Sequence, residues 1–147
     1  MKIVIQRVQR ASVTVEGDVV GAIDFGALVL LGIGKNDQAM QIPRMVEKLI
    51  NLRFFHDDEG KMNRSLLDVG GELLIVSQFT LYANCKSGRR PSFTDSAPPD
   101  LAKELYLRFV EEARGKVAKV QTGSFGAYMQ VSLVNDGPVT LLLEEGR

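Results

Sequence analysis

The segment SQFTLYA, residues 77–83, has the residue types of a site that stabilises negative charge on an oxygen atom. Ser77, Gln78 and Thr80 are polar residues at the end of an otherwise apolar run. If Phe79 points inward in a strand, Gln78 and Thr80 share the opposite face. Main-chain N–H groups freed where a strand ends can form an oxyanion hole, to which Gln78 adds a donor. An ordinary half-exposed strand explains the same pattern, so both interpretations remain open.

The residues of standard nucleophilic catalysis are scarce in this chain. His56 is the only histidine and Cys85 the only cysteine. A catalytic triad would require His56, which lies in a polar turn and is more simply a surface residue. The neighbouring residues 57–59 are acidic, but adjacent turn residues rarely converge on one ion. A lone loop cysteine without a paired base does not indicate a nucleophile. We therefore predict no metal site and no cofactor.

The segment NDGPVT, residues 135–140, places a Gly-Pro pair between two strand-like stretches. An X-Pro bond is cis in about 5–6% of cases in folded proteins. A cis bond between Gly137 and Pro138 would point two consecutive carbonyls in nearly the same direction, as a rigid polar wall. The alternative is a hairpin turn with a trans bond and proline at its second position.

A third candidate is the segment KSGRRPSF, residues 86–93, in a long polar loop. Lys86, Arg89 and Arg90 surround a glycine, and Phe93 follows them. Such a loop can contact phosphates and stack on a base. A solvated loop without a partner has the same composition, because three cations in a short stretch are common.

Composition limits the class of protein. The chain has 147 residues, 45% of them hydrophobic and 24% charged, which predicts one globular domain spanning residues 1–147. Lys+Arg and Asp+Glu both number 18, so bulk charge gives no indication of DNA or other nucleic acid. A single cysteine and the lack of a signal-peptide pattern predict a cytoplasmic protein. No apolar run approaches the roughly 20 residues of a membrane span.

The hydropathy pattern predicts the elements that position these segments. Apolar residues alternate over residues 2–16, and the turn after them predicts a hairpin. The run at 27–34 predicts a central strand. Helical spacing appears at 37–52, where Pro43 is tolerable only in the first turn, and again at 100–115, where Gly115 fits the C-cap. The remaining predictions are loops at 54–71 and 84–99 and strands at 72–83, 126–134 and 138–144.

This order predicts an α+β fold in a single domain. We expect a mixed, largely antiparallel sheet that curls into an open barrel, with two helices packed outside it.

Four segments together resemble a known family. They are IQRVQRASVTV near the N-terminus, SQFTLYA, GRRPSF and TGSFGAYMQVSLVNDGPVT, and the resemblance runs from Lys2 to Leu143 without large gaps. The chain is similar to the D-aminoacyl-tRNA deacylases in their widespread bacterial and eukaryotic form. SQFTL and NDGPVT are each weak signals, but their combination is specific.

The resemblance implies an ester hydrolase that releases a D-amino acid from the 3′ end of tRNA and so recycles mischarged tRNA. It implies that glycine mischarged on tRNA is also accepted. The family consists of homodimers whose active sites lie at the subunit interface. In such a dimer Gly137-Pro138 is cis and reaches into the partner's pocket, opposite Ser77–Thr80. Arg7 resembles the residue that orients this motif, and Phe125 and Met129 match positions near the pocket.

These assignments suggest how handedness is read. Carbonyls that grip the substrate's ammonium group leave a D side chain facing solvent and push an L side chain into the wall. For catalysis we favour water attack assisted by the 2′-hydroxyl of the terminal ribose, because no histidine accompanies Thr80 as a nucleophile. Lys86, Arg89 and Arg90 are candidates for binding the acceptor end of tRNA. The alternatives are a non-catalytic RNA-end or nucleotide-binding module, and a deacylase with a trans Gly-Pro bond.

Overall fold

A computed structural model describes residues 1–145 of the chain, so Gly146 and Arg147 of the predicted domain lie outside the described residues. The strands are β1 (Lys2–Val15), β2 (Asp18–Ile23), β3 (Gly26–Gly32), β4 (Phe55–His56), β5 (Met62–Arg64), β6 (Glu72–Ser77), β7 (Val120–Thr122) and β8 (Gln130–Glu144). The α-helices are α1 (Ile42–Asn51), α2 (Leu66–Val69) and α3 (Pro99–Arg114), and short 3₁₀ helices cover Ala39–Gln41 and Phe79–Tyr82.

The main sheet is mixed and nearly closed into a barrel. Its order is β2-β1-β3-β6-β7, and β8 pairs with β1 along that strand's other edge. All pairings of β1 are antiparallel, whereas β3–β6 and β6–β7 are parallel. The two ends of the sheet meet where Gly21 of β2 faces Thr122 of β7, since a Cβ on Gly21 would lie 2.2 Å from the Thr122 oxygen. The predicted α+β fold with a curled sheet is confirmed.

Helices α1 and α3 cover the outside of the sheet, as predicted. The buried face of α1 is its apolar stripe, and Pro43 lies in the first turn, where its missing N–H costs no hydrogen bond. In α3 the buried residues include Tyr106 and Phe109. Gly115 is the C-cap of α3 but keeps right-handed angles (φ −70°, ψ −14°), so glycine is not required there by conformation.

The region 54–71, predicted to be a loop, contains ordered elements. The strands β4 and β5 pair in a small separate sheet, and α2 follows them. Ser65 and Asp68 form a reciprocal capping box at the start of α2, and Gly70 ends the helix in the left-handed conformation. Elements this short have too little periodicity to be recognised from hydropathy. The same reason explains why the three-residue strand β7 was not predicted.

Two strand predictions were wrong at their ends. The strand predicted at 72–83 ends at Ser77, because the chain turns at Gln78 into the 3₁₀ helix Phe79–Tyr82. The strands predicted at 126–134 and 138–144 form one strand, β8, which begins later and runs through the Gly-Pro pair. Within residues 1–145, no helix combines the length and the apolar character needed to cross a bilayer.

Candidate active site

A cavity of about 590 Å³ opens where the carboxyl end of β6 meets the loop before α3. Five of the predicted site residues are on its lining: Ser77, Gln78, Phe79, Phe125 and Met129. Its other lining residues are mostly apolar or small: Ile33, Val76, Phe93, Ser96, Ala97, Pro99, Ala102, Gly126, Ala127, Tyr128 and Val131. The residues of the SQFT and TGSFGAYMQ segments, far apart in sequence, are therefore brought to one cavity.

Main-chain donors border this cavity in the 3₁₀ turn Phe79–Tyr82. The N–H of Gln78, the residue after β6, donates to the Leu31 oxygen of β3, and this is the last hydrogen bond of the pairing between β3 and β6. Among the described residues, no main-chain acceptor pairs with the N–H of Phe79 or of Thr80. The first N–H groups of a helical turn lack intrahelical partners, so these two donors are available to a bound oxygen. This is the hydrogen-bonding arrangement that an oxyanion hole requires.

The side chains of this turn are not arranged as predicted for a strand. Phe79 is 53% exposed instead of pointing into the core. The amide of Gln78 donates a hydrogen bond to the Thr80 hydroxyl. Thr80 is not among the residues that line the cavity, although it immediately follows one of them. The turn, and not a strand face, brings the two polar side chains together.

Two glycines, Gly32 at the end of β3 and Gly34 just after it, allow the turn to lie against the sheet. A Cβ on Gly32 would lie 3.0 Å from the Gln78 oxygen, and one on Gly34 would lie 2.7 Å from the Tyr82 ring. Tyr82 also donates from its hydroxyl to the buried Asp37 carboxylate (3.3 Å), which accepts the N–H of Gly34 at 2.6 Å. The position of the turn is therefore fixed by close packing as well as by hydrogen bonds.

The polar loop after residue 83 forms one wall of the cavity. Phe93 contacts Phe79 edge to face, with 5.1 Å between the ring centroids. Ser96 donates from its hydroxyl to the Phe79 oxygen at 3.2 Å. Lys86, Arg89 and Arg90 lie in the exposed part of this loop, away from the lining. No carboxylate within residues 1–145 forms an ion pair with any of the three.

The Gly137-Pro138 segment is a bulge in β8, not a hairpin turn. Gln6 of β1 pairs with Thr140 and Val8 pairs with Asn135, so Arg7 alone faces residues 136–139. The extra residues leave the ladder, and the Gly137-Pro138 peptide bond among them is cis. Gly137 and Pro138 are both exposed and do not line the cavity of their own chain.

Arg7 lies beneath this bulge and is almost fully buried, with 3% exposure. Its Nε donates to the Asp136 main-chain oxygen at 2.8 Å, and its Nη1 donates to the Phe54 oxygen, also at 2.8 Å. Nε is also 3.4 Å from the Asp136 carboxylate. A buried guanidinium satisfied by fixed carbonyls is a rigid support, since its planar fork loses little freedom per hydrogen bond.

The cavity contains little that could act as a general base. Among the described residues of its lining, Tyr128 alone has a titratable side chain, and it is 88% exposed. His56 is exposed on β4 and Cys85 is exposed in the polar loop, and neither lines the cavity. In the part of the chain that the structure describes, no group of three His, Cys, Asp or Glu residues is placed to hold a metal ion. Apart from Tyr128, the polar groups that the described lining does offer are the side chains of Ser77, Gln78 and Ser96 and the main-chain groups of the turn.

Tyr106 supports the cavity from below. Its hydroxyl donates to the Ile75 oxygen at 2.7 Å, and its ring packs against Phe125 with centroids 5.7 Å apart. Burial raises the pKa of Tyr106 to about 12, so its hydroxyl remains a donor at neutral pH. Tyr106 thereby links strand β6 to Phe125, a residue of the cavity lining.

Sequence reasoning did not identify Tyr106 or Asn135, whose side-chain amide hydrogen-bonds to the main chain of Val139 beside the Gly137-Pro138 pair. Asn135 is visible in the sequence only as the first residue of NDGPVT, although an Asn two residues before a Gly-Pro pair commonly hydrogen-bonds to nearby backbone. Tyr106 gave no signal beyond its place on the buried face of α3. Its partner, the Ile75 carbonyl, is 31 positions away in sequence, so only the fold reveals the contact.

Comparison with known proteins places the chain in a family. A family model described as D-Tyr-tRNA(Tyr) deacylase matches residues 4–144. A Thermosipho africanus protein named D-aminoacyl-tRNA deacylase is 63% identical over 144 residues, covering 98% of this chain and 97% of the relative. A Fervidobacterium nodosum protein with the same name is 58% identical over 144 residues, with the same coverage of 98% and 97%.

Two solved structures share the fold of this chain. A chain named c-Myc DNA Unwinding Element Binding Protein has a TM-score of 0.93 at 45% identity, covering 99% of both chains. A probable eukaryotic D-amino acid tRNA deacylase has a TM-score of 0.84 and covers 97% of both chains, and at 18% identity it supports the fold alone. The family model and the curated relatives confirm the resemblance seen in the sequence, including the class of ester hydrolase: the chain belongs to the D-Tyr-tRNA(Tyr) deacylase family.

Proposed function

We propose that this protein hydrolyses the ester bond of D-aminoacyl-tRNA, releasing the free D-amino acid and tRNA, and rejects L-aminoacyl-tRNA. The observation that carries the proposal is a cavity beside the turn Phe79–Tyr82, which is lined by few titratable side chains. Within residues 1–145, no main-chain acceptor pairs with the N–H of Phe79, which lines the cavity, or with that of Thr80, which follows it. An aminoacyl ester is already activated, so holding its carbonyl oxygen against N–H donors accounts for much of the acceleration. The curated relatives named D-aminoacyl-tRNA deacylase support this choice of substrate.

The second part of the proposal is a homodimer in which each subunit completes the other's site. Gly137 and Pro138 are exposed and lie outside the cavity of their own chain. A buried arginine holds the bulge rigid, although the bulge itself is exposed to solvent. Contact with a second subunit would explain why an exposed segment is held in this way. We place the partner subunit's Gly137 and the partner subunit's Pro138 opposite Ser77–Thr80, at the mouth of the cavity.

This arrangement selects by direction and not by size. The carbonyls of the Gly-Pro pair hold the substrate's ammonium group, which fixes the Cα atom. A D side chain then points to solvent, whereas an L side chain meets the main chain of the bulge. A pocket that accepts many side chains could not make this distinction by volume. Glycine has no side chain to exclude, so glycine attached to tRNA is also cleaved.

The attacking group in this proposal is water, assisted by the 2′-hydroxyl of the terminal ribose. Water adds to the ester carbon, and the N–H groups of Phe79 and Thr80 hold the negative charge on the carbonyl oxygen. The bond between that carbon and the ribose 3′-oxygen then breaks, and the proton lost by the water passes through the 2′-hydroxyl to the 3′-oxygen, which leaves the free amino acid and the tRNA 3′-hydroxyl. Phe125 and Met129 shape the cavity around the substrate. Thr80 is not the nucleophile, because no base accompanies its hydroxyl.

The acceptor end of tRNA lies, in this proposal, along the polar loop. Lys86, Arg89 and Arg90 are exposed there without carboxylate partners among the described residues, so they are free to contact phosphates. A net charge of zero is consistent with an enzyme that binds only the end of its RNA. It does not favour duplex DNA as the partner, although one similar solved structure is named as a DNA unwinding element binding protein. The place of action is the cytoplasm, where tRNA is charged.

Hydrolysis of matched esters tests the proposal. The protein is incubated with D-Tyr-tRNA, L-Tyr-tRNA and Gly-tRNA, and the remaining ester is measured over time. The enzyme is expected to destroy the D and glycyl esters and leave the L ester at its spontaneous rate. A non-catalytic RNA-end or nucleotide-binding module, the alternative function, would protect or ignore all three. Equal hydrolysis of the D and L esters would contradict the chiral part of the proposal.

A further inference from the structure

Asn135, the residue before the Gly-Pro bulge, contacts the residues at the end of the bulge. Its Oδ1 accepts the N–H of Val139 at 2.8 Å. Its Nδ2 donates to the Val139 oxygen and to the Thr140 hydroxyl, both at 3.2 Å. One side-chain amide therefore satisfies both main-chain polar groups of the residue that follows Pro138.

These bonds replace the ladder bonds that the bulge removes. Residues 136–139 have no partners in the register with β1, which resumes at Thr140. A buried main-chain polar group without a hydrogen-bond partner lowers the stability of the fold, so the N–H and oxygen of Val139 need partners other than β1. The Val139 side chain is buried in the core with 8% exposure, which places this end of the bulge inside the protein. Asn135 thus ties the two ends of the bulge together across residues 136–138.

Arg7 and Asn135 divide the support of the bulge between them. Arg7 holds the Asp136 oxygen, at the entry of the bulge, and Asn135 holds Val139, at its exit. Gly137 and Pro138 stand between these two fixed points. Without the Asn135 amide, the main-chain N–H and oxygen of Val139, at the exit of the bulge, would lose their side-chain partners.

We propose that Asn135 is a positioning residue for chiral selection, one that fixes the direction of the Gly137 and Pro138 carbonyls without touching the substrate. The inference rests on the proposed function for its effect on selectivity. It assigns to Asn135 a role distinct from that of Arg7, since the amide acts on the far end of the bulge. A displacement of a binding group by about 1 Å can cost a hundredfold in rate, so a loose bulge weakens discrimination before it unfolds anything.

Three variants separate this role from a general contribution to stability. Asn135→Ala removes all three contacts. Asn135→Asp keeps an acceptor for the Val139 N–H but places a carboxylate oxygen against the Val139 oxygen. Thr140→Val is the matched control, because it removes only the contacts of the Thr140 hydroxyl, with Asn135 and with Gln6, and leaves both bonds to Val139. Each variant is assayed with D-Tyr-tRNA and L-Tyr-tRNA, and its melting temperature is recorded.

We expect Asn135→Ala to lower the ratio of kcat/KM for the D ester over the L ester by about tenfold to a hundredfold. Asn135→Asp is expected to retain part of the ratio, and Thr140→Val to retain all of it. If Asn135→Ala melts at a lower temperature but discriminates as the wild type does, Asn135 is only a stabilising residue and the inference is wrong.

Amide hydrogen exchange tests the positioning itself, independently of activity. Exchange at Val139 is expected to be slow in the wild type and in Thr140→Val, and to become faster in Asn135→Ala. Unchanged protection in Asn135→Ala would overturn the inference. Should the wild type cleave neither ester, the proposed function fails, and the exchange result still decides whether Asn135 holds the bulge.

Discussion

Thr80 is one of the hydroxyl residues in the cavity region, with Ser77 and Ser96 on the lining itself, and it follows the cavity residue Phe79. Its hydroxyl accepts a hydrogen bond from the Gln78 amide, and Gln78 cannot take up a proton as a base would. The exposed His56 and Cys85 do not line the cavity either. The side-chain hydroxyl of Thr80 is therefore expected to contribute less than its main-chain N–H, which a substitution to alanine preserves.

Thr80→Ala is predicted to retain a substantial part of kcat for D-Tyr-tRNA, within about tenfold of the wild type. Single-turnover hydrolysis with saturating enzyme measures this directly. Thr80→Ser is the control for loss of the methyl group alone. A fall of kcat to the spontaneous rate with unchanged tRNA binding would make Thr80 the nucleophile after all.

Tyr106 allows a test of how the cavity floor is held. Tyr106→Phe removes the hydrogen bond to the Ile75 oxygen, which keeps a weaker bond from the Gly123 N–H at 3.3 Å. Because the carbonyl is not left without a partner, we expect a loss of about 1 kcal/mol in the free energy of unfolding. Urea denaturation at neutral pH measures the difference. No loss would mean that the hydroxyl contributes nothing to the fold.

The same residue predicts a pH dependence. Burial raises the pKa of Tyr106 from 10.0 to about 12, so the folded protein keeps this proton to higher pH than the unfolded chain does. Stability from this group is complete below about pH 10 and is lost as the pH rises toward 12. The free energy of unfolding is expected to fall over that interval, and less steeply in Tyr106→Phe. Tyr82, whose pKa is also raised by burial and by Asp37, remains in both proteins. Parallel curves would contradict this assignment.

At the residue scale, sequence reasoning identified the residues whose chemistry is visible in their type. Ser77, Gln78 and Phe79 were recognised as the end of an apolar strand, and they do line the cavity. Asn135 and Tyr106 act through contacts with main-chain oxygens, which leave no trace in a residue's type. Their roles depend on which backbone the fold brings beside them.

The element that positions the main-chain donors is the 3₁₀ turn Phe79–Tyr82, and it depends on glycines in β3 and just after it. A Cβ on Gly34 would lie 2.7 and 2.8 Å from two ring carbons of Tyr82 and 2.9 Å from its hydroxyl oxygen. Contacts this short force the ring, and the turn that carries it, to move. The N–H groups of Phe79 and Thr80 would then be misplaced relative to the substrate carbonyl.

Gly34→Ala is accordingly predicted to lower kcat for D-Tyr-tRNA by about tenfold or more while changing KM little. Gly115→Ala is the matched control: its φ is −70°, and its nearest contact is 3.5 Å away. That variant should keep full activity and gain a few tenths to about 1 kcal/mol of stability. If Gly34→Ala keeps the wild-type kcat, the turn tolerates displacement and its donors are not the catalytic ones.

At the element scale, hydropathy predicted the long elements and failed at their ends. The helices α1 and α3 and the strands β1 and β3 have clear periodicity over many residues. The strand predicted to reach residue 83 stops at Ser77, because the apolar residues Phe79 and Leu81 belong to a turn and not to a strand. The bulge in β8 was also predicted as a strand break, because glycine and proline usually interrupt a ladder. Arg7 and Asn135 allow β8 to resume on the same partner.

At the scale of the whole molecule, a protein with no net charge can bind tRNA only through a local group of positively charged side chains. The exposed cations Arg89 and Arg90 are the nearest unpaired candidates in the loop that carries Phe93 to the cavity wall. Phosphate contacts of this kind strengthen binding without taking part in the reaction, and they weaken as salt is added.

Reversal of both charges, Arg89→Glu with Arg90→Glu, is predicted to raise KM for D-Tyr-tRNA by about tenfold or more with little change in kcat. The dependence of KM on salt concentration should also become weaker. Lys61→Glu with Arg64→Glu, on the β4–β5 hairpin, changes the net charge equally and is the control. An unaltered KM in the first variant would show that Arg89 and Arg90 do not contribute to tRNA binding.

The fold as a whole was predictable from the sequence, whereas the proposed homodimer was expected only from the family resemblance. A single α+β domain with a curled sheet follows from the pattern of apolar residues. A cross-subunit site does not, because nothing in periodicity or composition shows that an exposed bulge enters a second copy. The separation of Gly137 and Pro138 from their own chain's cavity is visible only in three dimensions.

The central claim is that a working site joins the cavity of one subunit to the Gly-Pro bulge of the other. Mixed dimers of two impaired variants test it most directly. Gly34→Ala impairs the cavity side, and Gly137→Ala impairs the bulge, since a Cβ there would lie 2.6 Å from the Val139 nitrogen. In a mixed dimer, one site collects both substitutions and the other contains neither.

Deacylation of D-Tyr-tRNA is therefore measured for each variant alone and for the two co-expressed in equal amounts. Random pairing gives mixed dimers in half of the molecules, so the account predicts recovery of about a quarter of the wild-type rate. A rate equal to the average of the two separate variants would show that each chain holds a complete site, which would contradict the account.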